Sequence, residues 1–192
     1  VIYSYLKKDE LLTLSFTGEE SQFIRLNNAK IRQTGLVNDA DIHMKMIANG
    51  RTCTGSFTLS GNDDVDAKRA GLEIERMRLE STQILEDPYL IIPKGSGSSR
   101  EIKKSNGLNF KDAVDAILPA IQGVDFVGIL SNGKMYRGNS NSLGQEHWFE
   151  TESFALDYSL VATNHQMVKG TFAGTDWDQN EYEGYLKQSK KK

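Results

Sequence analysis

The chain has 192 residues, 38% of them hydrophobic, and a formal charge of −3. That length suits one domain or slightly more, with a core that is adequate rather than generous. The charge argues against a nucleic-acid footprint, the single cysteine excludes a disulfide framework or a multi-cysteine zinc site, and no apolar run approaches the roughly 20 residues of a membrane helix.

The first third reads as strands. Leu12, Leu14 and Phe16 alternate with polar residues, as do Ile42, Met44, Met46 and Ala48, and then Cys53, Gly55, Phe57 and Leu59. Period two predicts an antiparallel sheet with one covered face. Asn49-Gly50 is a type I′ hairpin signal, because both central residues of that turn need positive φ. Asn27-Asn28 is expected to turn the preceding pair. A helix follows, capped by Asn62, Asp63 or Asp64. Ala67, Ala70, Ile74, Met77, Ser81 and Ile84 form its apolar stripe, opposite Lys68, Arg69, Glu73, Glu75, Arg76 and Glu80.

Residues 87–109 carry Pro88, Pro93 and a Gly-Ser run, and read as a loop that is mobile near 95–99. Phe110, Ala113, Val114, Ile117, Leu118 and Ile121 predict a second amphipathic helix, shortened or kinked by Pro119 and stopped at Gly123. The last third returns to strands. Residues 124–130 are apolar enough to predict a strand covered on both faces, and Asn132-Gly133 reads as another hairpin. Phe154, Leu156, Tyr158 and Leu160 alternate with polar or small residues, and Asn164-His165 is expected to turn the chain into residues 167–173. The expected fold class is therefore α+β, with antiparallel strands at both ends of the chain and two amphipathic helices packed on the sheet. Domain boundaries are placed at 1–178, with 179–192 as the start of a linker or a helix toward a further domain. Val1 is not a start methionine, and both ends read as cut from something longer.

Candidate chemistry is sparse. His43, His147 and His165 lie far apart, without the i, i+4 helical spacing of a zinc protease. Alternation puts Glu146, Glu150 and Glu152 on the strand face opposite His147. Cys53 falls in a buried register with no base beside it, so an inert thiol in a reducing, cytoplasmic setting is expected. The stretch Tyr136-Arg-Gly-Asn-Ser-Asn-Ser-Leu-Gly-Gln-Glu-His-Trp148 is too long for a tight turn. It lacks the Lys-Ser/Thr ending of a phosphate loop. It reads either as a polar loop whose amides reach a peptide backbone, or as an ordered structural turn with Trp148 in the core. On the first reading Arg137, Asn139, Asn141, Ser142, Gln145 and Trp148 line a peptide-binding cleft.

This stretch, with Phe149-Glu150, resembles the "RGFANSLGQRNWHE" segment of the TldD/PmbA family. Phe154-Ala-Leu-Asp-Tyr-Ser-Leu160 is similar to its "SFNLDWSLY", and Val168-Lys-Gly-Thr-Phe-Ala-Gly-Thr-Asp-Trp177 to its "AVKSxYAGxxW". Phe23-Ile-Arg-Leu-Asn-Asn-Ala-Lys-Ile-Arg-Gln33 matches "FVRFNxARVRQ", and Asp87-Pro-Tyr-Leu90 adds a fifth, weaker point. The segments run in family order over residues 11–178. The chain departs at Asn139-Ser-Asn, where the family has a Phe-Ala pair, and at Tyr158, where Trp is usual.

The resemblance implies the amino-terminal domain of a zinc-dependent protease, or of an inactivated homologue of the kind historically called modulators of DNA gyrase. In the catalytic arm a His-Glu-x-x-x-His helix and a later cysteine hold zinc in the carboxyl-terminal half. No catalytic or metal residue is therefore carried onto this chain, and no cofactor is expected in it. Zinc belongs to the carboxyl-terminal half or to a partner subunit. The implied partners are an unfolded peptide substrate and a second family member, in a homodimer or a heterodimer with a catalytic subunit. Neither nucleic acid nor membrane is implied. The expected role is a non-catalytic, substrate-enclosing domain in proteolysis of unfolded peptides. The wording of the segments leans toward the PmbA-like arm, so the alternative is a partner or regulatory subunit without protease activity. A free-standing enzyme built on Glu150, Glu152 or His147 is the weakest reading.

Overall fold

The computed structural model describes residues 1–93, 95–161 and 166–191. After a 3-10 turn at Ile2–Tyr5 come β1 (Leu11–Asn27), β2 (Lys30–Ala48), β3 (Arg51–Thr58) and α1 (Asp63–Ser81). Then follow β4 (Gly97–Ile102), α2 (Ala113–Ile121), β5 (Asp125–Asn141), β6 (Gln145–Val161), β7 (Met167–Gly174) and α3 (Gln179–Ser189). The strands form one seven-stranded sheet in the order β3-β2-β1-β5-β6-β4, with β7 also pairing β6. The fold is α+β, as alternation predicts, with three helices rather than two. Residues expected to begin a linker or a helix contain α3, whose Tyr182 and Leu186 are buried. Among the described residues no helix is long and apolar enough to cross a membrane.

The chain divides into two compact units, and β1, β2, β5 and β6 each contribute to both. The first unit comprises Val1–Gly18, Asp39–Ile102 and Tyr136–Glu150. Its core joins Leu12, Leu14, Ile42, Met44, Met46 and Cys53 to Ile74 and Met77 of α1. The expected stripe thus forms, and the Asn62 side chain caps α1 by accepting from the amides of Asp64 and Val65. Burial pushes the Cys53 thiol up, with Glu80 adding to it, which is the behaviour of an inert core thiol. Asn49 and Gly50 both take positive φ, 49° and 69°, and close the β2–β3 hairpin as expected.

Arg78 ties α1 to the entry of β1. Its Nε donates to Glu10 Oε1 at 2.6 Å and its Nη2 to Oε2 at 2.7 Å. Both side chains are about nine-tenths buried. The guanidinium holds the Glu10 carboxyl below its ordinary value.

The second unit comprises Glu19–Asn38, Lys103–Met135 and Thr151–Lys192. Here Ala113, Ile117 and Ile121 of α2 and Tyr182 and Leu186 of α3 cover Ile24, Phe126, Leu130, Phe154, Leu156, Tyr158 and Phe172. Pro119 stays inside α2, which is only nine residues long, and Gly123 (φ 76°) follows its C-cap. Phe172 meets Phe154, Trp177, Tyr182 and Tyr185 at ring separations of 5.2–5.9 Å.

Several turn assignments need correction. The β1–β2 turn is Asn28-Ala29 (φ 52° and 50°), one residue beyond Asn27-Asn28. Asn132-Gly133 is no turn, because β5 runs straight through it. Asn132 is buried and its Nδ2 donates to the Leu108 carbonyl at 2.6 Å. Gly133 takes φ 151°, and a Cβ there would sit 2.3 Å from the Glu20 carbonyl oxygen and 2.5 Å from Ser21 Cα. The glycine permits close backbone approach, not reversal. The start of β5 is covered on one face only, with Phe126 and Leu130 buried and Val127 and Ile129 over a third exposed. The 87–109 stretch is not all loop either. Residues 97–102 form β4, parallel to β6 from Gly97↔Gln145 to Ile102↔Glu150. The expected turn at Asn164-His165 lies outside the described residues.

Two stability measurements follow from these contacts. Gly133→Ala is expected to lower unfolding free energy by about 2–3 kcal/mol, because backbone must shift to admit the methyl. Denaturant titration reads this. A folded pKa below the unfolded one makes Glu10 stabilising above its ordinary value, about 4.3. That contribution disappears as pH falls through the folded value. Glu10→Gln should therefore be less stable than the wild type at neutral pH. The gap should narrow steadily in thermal melts as the pH is taken down from about 4.3.

Candidate functional site

The stretch singled out in the sequence is a β-hairpin, not a long loop. Residues 136–141 finish β5, and β6 begins at Gln145. The buried Asn141 makes the reversal. Its Oδ1 accepts from the amides of Leu143 at 2.9 Å and Gln145 at 3.0 Å, while its Nδ2 donates to Gln145 Oε1 at 2.9 Å. A short carboxamide holding backbone two and four residues on is the Asx-turn chemistry that suits Asn here. Gly144 takes φ 94° to complete it. Ser142 is tied to β1 twice, its amide donating to the Leu12 carbonyl (2.9 Å) and its Oγ accepting from the Leu12 amide (3.1 Å).

Beside this hairpin lies an open hollow of about 580 Å³ within the first unit. Tyr3, Leu14, Phe16 and Ile42 supply apolar wall, and the hairpin residues 138–142 and 144–148 supply the rest. Phe16 and Tyr136 rings lie 5.2 and 6.0 Å from the Trp148 ring. Gly138 makes room for this group, since a Cβ there would be 3.1 Å from Phe16 Cβ and 3.3 Å from Trp148 Cε3. Tyr3 donates to or accepts from Ser140 Oγ at 2.6 Å. Burial raises the Tyr3 phenol, the Ser140 bond opposes this, and the Glu146 carboxylate adds to it. The indole Nε1 of Trp148 is buried without a hydrogen-bond partner among the described residues. His147 also lines the hollow, its Nδ1 2.7 Å from Ser99 Oγ on β4.

Five of the six residues expected in a cleft line this one hollow: Asn139, Asn141, Ser142, Gln145 and Trp148. Arg137 does not; it is exposed, and its Nη1 donates to the Tyr136 carbonyl at 2.8 Å. The structure divides the five further. The polar groups of Asn141 and Ser142 are spent on the fold, and Gln145 Oε1 is taken by Asn141. Asn139 alone among the carboxamides makes no side-chain hydrogen bond with the described residues. The stretch is therefore an ordered turn, and it adjoins a concave surface. The apolar half of the hollow, Tyr3, Leu14 and Ile42, has no local signal in the sequence, because it reaches the hairpin only through strand pairing.

A second hollow of about 530 Å³ lies within the other unit. It is lined by Arg25, Arg32 and Lys169, with Asp157, Val127 and Ile129. Asp157 Oδ1 accepts from Thr171 Oγ1 at 3.0 Å. Spread over five strands, this surface has no contiguous sequence signature. Glu150 and Glu152, considered as an acid–base pair, are both half-buried, and Glu152 Oε2 accepts from Ser105 Oγ at 3.3 Å. No cluster of three His, Cys, Asp or Glu suited to a metal occurs among the described residues.

No family model and no curated protein sequence matches the chain. Solved structures do. TldE from Thermococcus kodakarensis superposes with a TM-score of 0.71 at 14% identity, over 100% of this chain and 45% of its own. A "putative modulator of a DNA gyrase" from Thermotoga maritima gives 0.69 at 15% identity, over 98% and 46%. Another, from Bacteroides thetaiotaomicron, gives 0.61 at 13%, over 99% and 47%. The resemblance read from the motifs thus holds at the level of fold. The chain spans less than half the length of each of these proteins.

The division of labour among the hairpin residues is measurable. Asn141→Ala should cost about 2 kcal/mol, since it strands two backbone donors. Asn139→Ala should stay within about 0.5 kcal/mol of the wild type. Paired urea titrations would check both, and equal losses would reject the assignment.

Proposed function

We propose that this chain is a non-catalytic, peptide-enclosing domain of a TldD/PmbA-type protein. The observation that carries this reading is the conjunction of fold and motif. The TldE-like fold spans the whole chain, and the motif that suggested the family forms the wall of a hollow. A sheet beside an apolar hollow suits an unfolded peptide. Strand addition supplies main-chain hydrogen bonds that ignore sequence, and the hollow accepts a side chain. Asn139 offers a carboxamide with both donor and acceptor for that purpose.

On this reading bond cleavage belongs elsewhere, in a zinc-bearing segment or a catalytic partner subunit, and the domain selects what reaches it. A dimeric, cytoplasmic protein acting on unfolded peptides fits the chain's exposed sheet and its single buried thiol. The lean of the motifs toward the PmbA-like arm supports a second reading, in which the whole protein is a partner subunit without hydrolytic activity. Two of the structural neighbours carry the name of DNA gyrase modulators, and a regulatory role of that sort falls under this second reading.

Titrating an unstructured, Thr/Val-rich peptide into the isotopically labelled chain tests peptide binding. Amide shifts should concentrate on residues 138–150. Spectra unchanged at millimolar peptide would remove the reading.

A further inference from the structure

In the second unit α2 and α3 cover one face of the sheet. Ile24, Leu26, Phe126, Leu130, Leu156 and Tyr158 are buried in the core on that side. Period two sends the residues between them to the opposite face. Arg25, Val127, Ile129 and Asp157 are exposed there. With Arg32 and Lys169 they line the hollow of about 530 Å³. Two features set this face apart from an ordinary solvated one. The first is charge: three cations stand against one carboxylate, on a chain whose formal net charge is −3. No salt bridge among the described residues involves Arg25, Arg32 or Lys169. Arg25 is held in position, since its guanidinium carbon lies 5.9 Å from the centroid of the Phe23 ring, two residues back on the same face. The second is an apolar floor. Val127 and Ile129 keep 39% and 38% of their surface exposed, and β5, which carries them, lies between β1 and β6.

We propose that this face docks an extended acidic segment of a partner protein, one with carboxylates at both ends of a short apolar stretch. Three strand spacings separate β1 from β7. That is about 14 Å, which an extended chain crosses in about four residues. One carboxylate then meets Arg25 and Arg32, whose planar forks take it through paired hydrogen bonds. The other meets Lys169, and an aliphatic side chain between them covers Val127 and Ile129. Asp157, on β6, repels a third carboxylate set between the cations, so the centre of the segment is uncharged. A nucleic acid suits the face less well. The floor is aliphatic and gives a base no ring to stack on, and three cations make a small phosphate footprint. The surface lies in the other unit from the hairpin hollow, and goes beyond the peptide-binding reading given there.

A capped Gly-Glu-Leu-Ala-Leu-Glu-Gly peptide, titrated into the isotopically labelled chain, tests the docking. Amide shifts should fall on residues 25–32, 127–129 and 157–159 and on Lys169, and not on 138–150. The same peptide with Gln for Glu should bind at least about tenfold more weakly. The acidic peptide should lose as much on the R32Q/K169Q variant, whose replaced residues are both exposed. Its affinity should also fall as salt is raised. Equal affinities for the Glu and Gln peptides, or for variant and wild type, would overturn the proposal, as would spectra unchanged at millimolar acidic peptide. Tighter binding of oligothymidylate or of phosphatidylserine vesicles at the same residues would assign the face to phosphate and reject a peptide partner. The uncharged Thr/Val peptide reads the hairpin hollow separately. Its failure would remove that reading and leave acidic docking standing, and R32Q/K169Q should not alter its binding.

Discussion

One buried carboxamide determines where β5 ends and β6 begins. Asn141 accepts from two backbone amides and donates to Gln145, so the reversal cannot move without breaking all three bonds. Register is a property of whole strands: a slip of one residue would send every side chain to the opposite face. The alternation of Phe154, Leu156, Tyr158 and Leu160 into a core therefore depends on a turn some ten residues earlier. The same turn sets which residues face β4, and so which backbone groups line the edge beside the hollow.

The two cores solve the covering problem differently. In the first unit one long helix, α1, lays a narrow aliphatic stripe on the sheet, helped by a bidentate ion pair to the strand entry. Breaking that pair strands a charge in a place with little water, which is why its presence matters more than its net contribution. In the second unit two short helices share the task, and aromatic rings fill the space between them and the sheet. Tyr182 shows the demand this makes. Its ring is fully buried, so its hydroxyl must find a partner, and it donates to the Ile117 carbonyl at 3.3 Å.

Alternation was the most legible signal in the chain. It located the strands around Leu12, Met44, Cys53 and Leu156 and the stripes on α1 and α2, because those patterns report burial directly. Turn chemistry was legible only where the turn stood alone. Asn49-Gly50 reverses the chain, but the identical logic failed at Asn132-Gly133, where tertiary contacts put both residues to other use. Local sequence cannot tell a glycine that frees φ from one that admits a neighbour's carbonyl. β4 was illegible for the converse reason. A strand that buries nothing leaves no hydrophobic trace, and Gly-Ser composition reads as loop. The hollow was half legible: its polar rim is contiguous in sequence, and its apolar wall comes from β1, β2 and the 3-10 turn.

Fold alone does not select a chemistry, and the same architecture can carry unrelated activities. What narrows the choice here is how polar groups are distributed. A site that discriminates by side chain needs several unspent, convergent donors and acceptors. In this hollow the groups of Asn141, Ser142 and Gln145 are consumed by the turn, leaving Asn139, Glu146 and the aromatic wall formed by Phe16 and Trp148. On the proposed peptide-binding reading, recognition would draw on main-chain hydrogen bonding along an edge. Within the first unit the edge adjoining the hollow is the one that β4 now covers.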